Sequence, residues 1–226
     1  PLLNSSNIIA SGSSVAITAN NTNGNATYQL FVNGSTTALN TQTTTSYSFT
    51  DTNVTVNKNY ELKITQGITT FTAKFSVVIN GTPVVSAPIP AGLVDGINYN
   101  TSDPTKATLV LNAPFKSFVY VAGSFNNWQP TSAYAMKKDN TSGSTKFWLE
   151  LTGLVPGQIY AYQYWVCDVV NLPIGSPSIV KTADPFSTLV LSPFDDPEII
   201  TLGAFPGLPV YATIAPGQER EVTVLQ

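Results

Sequence analysis

The 226-residue chain has no histidine and a single cysteine. Without histidine there is no Ser-His or Cys-His nucleophilic dyad and no His-ligated metal. Cys167 has no second cysteine with which to form an internal disulfide. Its setting between Val166 and Asp168-Val169 predicts a semi-buried, inert thiol. Charge is also scarce. Lys and Arg total 10, Asp and Glu total 13, and charged residues make up 10% of the chain, well below the roughly 25% of an average soluble protein. The few cations are scattered, so neither nucleic acid nor an anionic membrane surface finds an electrostatic footprint. No run is long and apolar enough to span a membrane. Pro1-Leu-Leu-Asn is not a charged leader followed by an apolar stretch, so an exported protein is expected here in processed or trimmed form. No segment sustains a 3.6-residue apolar period.

What the chain does have is Asn, Thr, Ser and aromatic residues. At 42% hydrophobic it can build one large core or two small ones. A surface dressed with uncharged polar groups suits a secreted protein and neutral polar ligands. Across residues 1–80, short alternating segments recur, such as Ser14-Val-Ala-Ile-Thr-Ala19, Thr27-Tyr-Gln-Leu-Phe-Val32 and Tyr60-Glu-Leu-Lys-Ile-Thr65. Period-2 alternation rich in β-branched and aromatic residues is the signal of half-buried strands. Asn23-Gly24, Asn33-Gly34, Gln66-Gly67 and Asn80-Gly81 supply the turn chemistry between them. This pattern predicts an immunoglobulin-like sandwich over residues 1–82. Thr82-Pro-Val-Val-Ser-Ala-Pro-Ile-Pro-Ala91 reads as a Pro-rich linker (83–91) that is extended and stops sheet pairing.

Residues 92–226 hold stronger strands and most of the aromatics. Ser117-Phe-Val-Tyr-Val-Ala122 reads as a strand buried on both faces, ending in the turn Gly123-Ser-Phe-Asn-Asn-Trp128. Asn tolerates positive φ and bonds its own backbone, so Asn126-Asn127 makes a turn. Phe125 is placed to anchor it from inside and Trp128 to stand beyond it. An indole there either caps the edge of the core or offers a flat, amphipathic face to a sugar ring. In Lys146-Phe-Trp-Leu-Glu-Leu-Thr152, Trp148 falls on the polar face, so it is expected to be partly exposed or covered by something outside its sheet. In Tyr160-Ala-Tyr-Gln-Tyr-Trp-Val166 the tyrosines share one face, and Gln163 and Trp165 share the other. Residues 167–181 read as irregular, and Val222-Thr-Val-Leu-Gln226 as part of a last strand.

The Asn-Asn-Trp turn, Phe147-Trp-Leu-Glu-Leu-Thr-Gly-Leu154, Pro156-Gly157, Tyr162-Gln163-Tyr164 and Ala183-Asp-Pro-Phe186 occur in this order. Together they make the second half resemble the early-set, glycogen- and starch-binding type of β-sandwich module. That module precedes the catalytic barrel of secreted bacterial α-amylase-family glycoside hydrolases, and a related one binds glycogen in the β subunit of AMP-activated protein kinase. The resemblance covers roughly residues 92–226, and the first 80 residues are similar to the immunoglobulin-like domains that often precede such modules. It implies an all-β chain of two tandem β-sandwiches, ending where a catalytic barrel would begin. It also implies a secreted or cell-surface bacterial protein, with α-glucan and its own C-terminal catalytic domain as partners.

On that resemblance, Trp128 matches the tryptophan that stacks on an α-glucan ring in the binding members. Gln163 falls where those members carry a sugar-bonding lysine, and its amide both donates and accepts. Asn127 joins as a hydrogen-bonding neighbour, and Trp165 or Trp148 as an extension of the platform. The binders' second tryptophan lies in a hairpin that here is Cys167–Lys181, which has no aromatic residue. The resemblance therefore implies weak α-glucan binding or, alternatively, a structural spacer that packs on the catalytic domain. No cofactor is expected. Catalysis by the chain itself would need paired carboxylates. The acids near aromatic corners are Asp184 and Asp195-Asp196, which read as turn or cap residues, and calcium at Asp195-Asp196 lacks a ligand set.

Overall fold

The computed structural model describes residues 6–141, 143–170, 177–187, 190–191 and 222–225. They divide into two compact units, with the boundary after Asn80. Among the described residues the regular secondary structure is strand, joined in the second unit by two single-turn 3-10 segments, Ser124–Asn126 and Ser132–Tyr134.

The first unit contains β1 (Ser6–Ile9), β2 (Ser13–Asn20), β3 (Ala26–Val32), β4 (Asn40–Thr44), β5 (Ser46–Val54), β6 (Lys58–Gln66) and β7 (Thr69–Ile79). One sheet has the order β1-β7-β6-β3-β4 and the other pairs β2 with β5. The second, third, fifth, sixth and seventh strands thus take the B–E and C–F–G pairings of an immunoglobulin-like sandwich. The predicted alternation is what fills its core: Val15, Ile17, Tyr28, Leu30, Tyr47, Tyr60, Leu62 and Phe75 are all buried. Tyr28 stacks on Tyr47 with ring centres 5.1 Å apart, and Tyr60 on Phe75 at 4.8 Å. Gly67, at φ 58°, opens a two-residue turn between β6 and β7. An apolar cleft of about 520 Å³ runs between the Ala16–Asn20 stretch of β2 and the β6–β7 pair.

The second unit contains β8 (Gly96–Tyr99), β9 (Ala107–Asn112), β10 (Phe118–Gly123), β11 (Lys137–Lys138), β12 (Lys146–Leu151), β13 (Tyr160–Cys167), β14 (Ile179–Thr182), β15 (Val190–Leu191) and β16 (Val222–Leu225). One sheet runs β11-β12-β9-β8. The other runs β10-β13-β16-β15, with β14 also paired to β13. Between them lie Leu109, Leu111, Val119, Val121, Phe147, Leu149, Tyr160, Tyr162 and Tyr164. The chain is therefore an all-β pair of tandem β-sandwiches. Every residue of β10 is buried, as its unbroken apolar run predicts.

Two local expectations change, and a third gains detail. Residues 83–91 do pair: Ser86 bridges Lys138 in parallel, Lys138 N–H donates to Val85 O at 2.9 Å, and Ala87 N–H donates to Lys138 O at 3.0 Å. The bonded residues lie between Pro83 and Pro88, so their amide donors are intact and the prolines limit only the length of the bridge. The 167–181 stretch is not irregular to its end, because β14 begins at Ile179 and pairs along β13. Asp184 fixes a turn, as its sequence setting predicts, and does so from the interior. It is 2% exposed. Its Oδ1 accepts from Phe186 N–H at 2.9 Å, while Oδ2 accepts from the Tyr162 and Tyr164 hydroxyls at 2.8 and 2.9 Å. The Pro193-Phe194 and Phe205-Pro206 corners and Asp195-Asp196 lie outside the described residues.

Candidate functional site

The Gly123–Trp128 turn is fixed by sterics and by one side chain. A Cβ on Gly123 would sit 2.7 Å from Ala161 O and 2.7 Å from the Phe125 ring, so only glycine fits. Asn126 closes the turn: its Oδ1 accepts from Gly123 N–H at 2.9 Å and its Nδ2 donates to Val121 O at 3.0 Å. Phe125 packs against the core and stacks on Tyr134, as expected of an inside anchor. Asn127 and Trp128 both adopt left-handed backbone, at φ 52° and 59°. Asn tolerates this; Trp does so only where its surroundings hold it. Trp128 N–H donates to Gly123 O at 2.9 Å.

The indole of Trp128 is not presented to solvent. It is 7% exposed, so of the two sequence readings the geometry matches an indole seated at the edge of the core. Asn127 beside it is exposed. Gln163 sits opposite Ala122, adjacent to the turn, and Trp165 sits opposite Tyr120. Both point away from the tyrosine core, as alternation along β13 requires. Both are buried, at 1% and 4% exposure. Trp165 Nε1 donates to Gln163 Oε1 at 2.9 Å, and the Lys181 ammonium lies 3.9 Å from the centre of the Trp165 ring. Gln163 Nε2 is buried and has no hydrogen-bond partner among the described residues.

Trp148 does not join this group. It lies on the outward face of the other sheet, so the full thickness of the sandwich separates it from Trp165. Something outside its sheet does cover it. Its Nε1 donates to Ala87 O at 2.9 Å, and within the sheet its cross-strand neighbour Lys137 lies 4.4 Å from the ring centre. The structure thus brings Gln163 and Trp165 together on one face of β13, with the turn that carries Asn127 and Trp128 following the strand paired to it, and leaves Trp148 on the other sheet. Sequence reasoning missed Lys181 and Tyr120. Lys181 becomes a neighbour of Trp165 only through the pairing of β14 with β13. Tyr120 was readable as a buried strand residue, but its position opposite Trp165 depends on register.

Other reactive groups are quiet. Burial pushes the Cys167 thiol well above its ordinary range, as expected of an inert cysteine. Burial, followed by the neighbouring Tyr162 and Asp184, raises the Tyr164 hydroxyl well above the usual phenol range. Among the described residues, no three His, Cys, Asp or Glu side chains lie close enough together to hold a metal. None of the helical segments among them is long and apolar enough to cross a membrane.

No family model matches the chain, and no curated protein matches it. Among solved structures, a chimeric titin Z1Z2 functionalized with a KLER exogenous peptide from decorin is similar at 13% identity. The match covers 74% of this chain and 87% of that one, with a TM-score of 0.31. A likeness at that level bears on neither the site nor the function.

Proposed function

We propose that these residues are a non-catalytic part of a larger secreted bacterial hydrolase of the α-amylase type. The second sandwich serves there as a structural spacer that packs on the catalytic domain. The observation that carries this reading is the internal use of the indoles. Trp148 donates to the Ala87 carbonyl and Trp165 to the Gln163 amide, each at 2.9 Å, and each ring carries a lysine. A sugar platform needs a free aromatic face with hydrogen-bonding groups beside it, whereas these faces and donors already serve the fold. The ordered motifs of residues 92–226 support the parentage.

The test is a titration of the chain with maltoheptaose, followed by tryptophan fluorescence. No saturable change at millimolar ligand is expected. A saturable change that is lost in Trp128→Ala would replace the spacer with weak α-glucan binding. One observation favours that second reading: Gln163 Nε2 is buried without a hydrogen-bond partner among the described residues, and Asn127 in the turn is exposed. The parentage is tested separately, by the coding sequence downstream of Gln226. A β/α barrel with a catalytic Asp and Glu supports it, and any other domain overturns it.

A further inference from the structure

At the Tyr99 end of β8 the second sandwich has a surface that the candidate site does not use. β8 pairs with β9 so that Ile97 lies opposite Leu109 and Tyr99 opposite Ala107. Paired residues share a face, so Tyr99 continues the core-facing row of β8 one step past the core. It is 56% exposed. There it borders a cavity of about 220 Å³, lined also by Pro104, Lys106, Val155, Pro156 and Gln158. That volume is below the range of drug-sized ligand sites and suits a single small ring.

The walls are already held in place. Leu154 N–H donates to Thr105 O at 2.9 Å and ties the two loops together. Val155 N–H donates to the Tyr160 hydroxyl at 2.9 Å, and Gln158 N–H to Val155 O at 3.1 Å. Gly157, at φ 81°, lets that turn form. On the facing loop, Asn100 Oδ1 accepts from Ser102 N–H and Asp103 N–H, both at 2.9 Å. Such preorganisation lowers the ordering cost of binding.

The chemistry of the lining selects a class of ligand. Tyr99 offers an exposed amphipathic ring, and the two prolines and Val155 add apolar edges. Around it, the Gln158 side-chain amide and Asn100 Nδ2 make no hydrogen bond to another described residue, and the Gln158 side chain is exposed. Lys106 is the one cation in the lining. It is shared between Asp103 at 3.8 Å and Glu150 at 3.7 Å, so the site carries no surplus positive charge with which to attract an anion. A flat apolar face ringed by amide donors and acceptors fits a ring that is apolar on its faces and hydroxylated at its edge. We propose that this end of the second sandwich is a subsite for one neutral pyranose ring, stacked on Tyr99 and hydrogen-bonded by Gln158 and Asn100. The inference goes beyond the spacer reading and concerns a different surface.

Isotope-labelled chain titrated with glucose, maltotriose and glucuronate, followed by amide chemical shifts, tests it. Saturable shifts at Tyr99, Asn100, Val155, Gly157 and Gln158 are expected, with dissociation constants on the order of millimolar. Glucuronate should bind more weakly than glucose, because its carboxylate meets Asp103 and Glu150. Tyr99→Ala should weaken maltotriose binding by about fivefold, the share of an aromatic face. If Tyr99→Ala disturbs the spectrum as a whole, Gln158→Ala at an exposed turn gives the same readout. No saturable shifts, shifts that persist undiminished in a folded variant, or tighter binding of glucuronate overturns the proposal. Shifts centred on Asn127 and Gln163 overturn both this proposal and the spacer reading, whereas silence everywhere overturns this proposal alone.

Discussion

Trp165 Nε1 donates to Gln163 Oε1 at 2.9 Å, two residues apart on the buried outward face of β13. The bond turns two residues that read as a sugar-binding pair into partners of each other. Gln163→Leu removes the acceptor and leaves a buried indole N–H unsatisfied, which costs about 1–3 kcal/mol. Trp165→Phe in the Gln163→Leu background removes the stranded donor as well. The double variant should therefore lose less stability than the two single losses added together. Urea denaturation of all four proteins measures the cycle. Strict additivity would mean that the bond contributes nothing.

Gly123 meets Ala161 O and the Phe125 ring where a Cβ would stand. Gly123→Ala should destabilise the protein by about 1–3 kcal/mol, the usual cost of overpacking. The shift in urea midpoint measures it. Gly143→Ala is a useful contrast, because no atom lies within 4 Å of a Cβ there and only its φ of 81° is strained. A smaller loss is expected at Gly143.

Trp148 holds the segment around Ala87 through one hydrogen bond and the cover of its ring. Trp148→Phe keeps most of the apolar area and deletes the bond, at a cost of about 1 kcal/mol. Amide exchange of Ala87 and Lys138, which lie in the bridge, should quicken more than that of β9 or β12. Unchanged exchange at Ala87 would show that the segment is held by its backbone bonds alone.

Three tyrosines set the alkaline limit. Burial pushes the Tyr47 hydroxyl up to about 12. Burial, then the hydrogen bond to Asp51, drives Tyr60 higher still, and Tyr164 is raised by burial first of all. Each folded-state pKa lies above the unfolded value of about 10, so the folded state keeps protons that the unfolded state releases. Their contribution is fully present below about pH 10 and is lost as pH rises through the folded values. The urea midpoint should fall steadily from about pH 10 upward. Tyr47→Phe should flatten the part of that fall that it causes. A midpoint constant over this range would contradict the prediction.

Much of the architecture was legible in the chain because strand burial leaves a period-2 trace and turns leave Asn and Gly. β2, β3 and β6 carry that alternation, and the unbroken apolar run of β10 marked a strand covered on both faces. The Gly123–Asn127 turn was readable down to the inside anchor Phe125 and the Asn126-Asn127 pair that turns the backbone. The pairing of Ser86 with Lys138 was not, since composition records the prolines but not the donors between them. Nor was the second half of the candidate site. Lys181 reaches Trp165 only through the register of β14, and Trp148 is removed from the group by belonging to the other sheet.

By itself, then, the sequence determined the strand class, the turns and which residues face inward, because these depend on local sterics and on a two-residue period. Only the tertiary structure decided what those residues do on their outward faces. Whether an indole is a platform for a ligand or a donor to its own fold depends on groups distant in sequence that packing brings near. For Trp148 that group is Ala87, 61 residues away, and for the Trp165 ring it is Lys181 on the neighbouring strand.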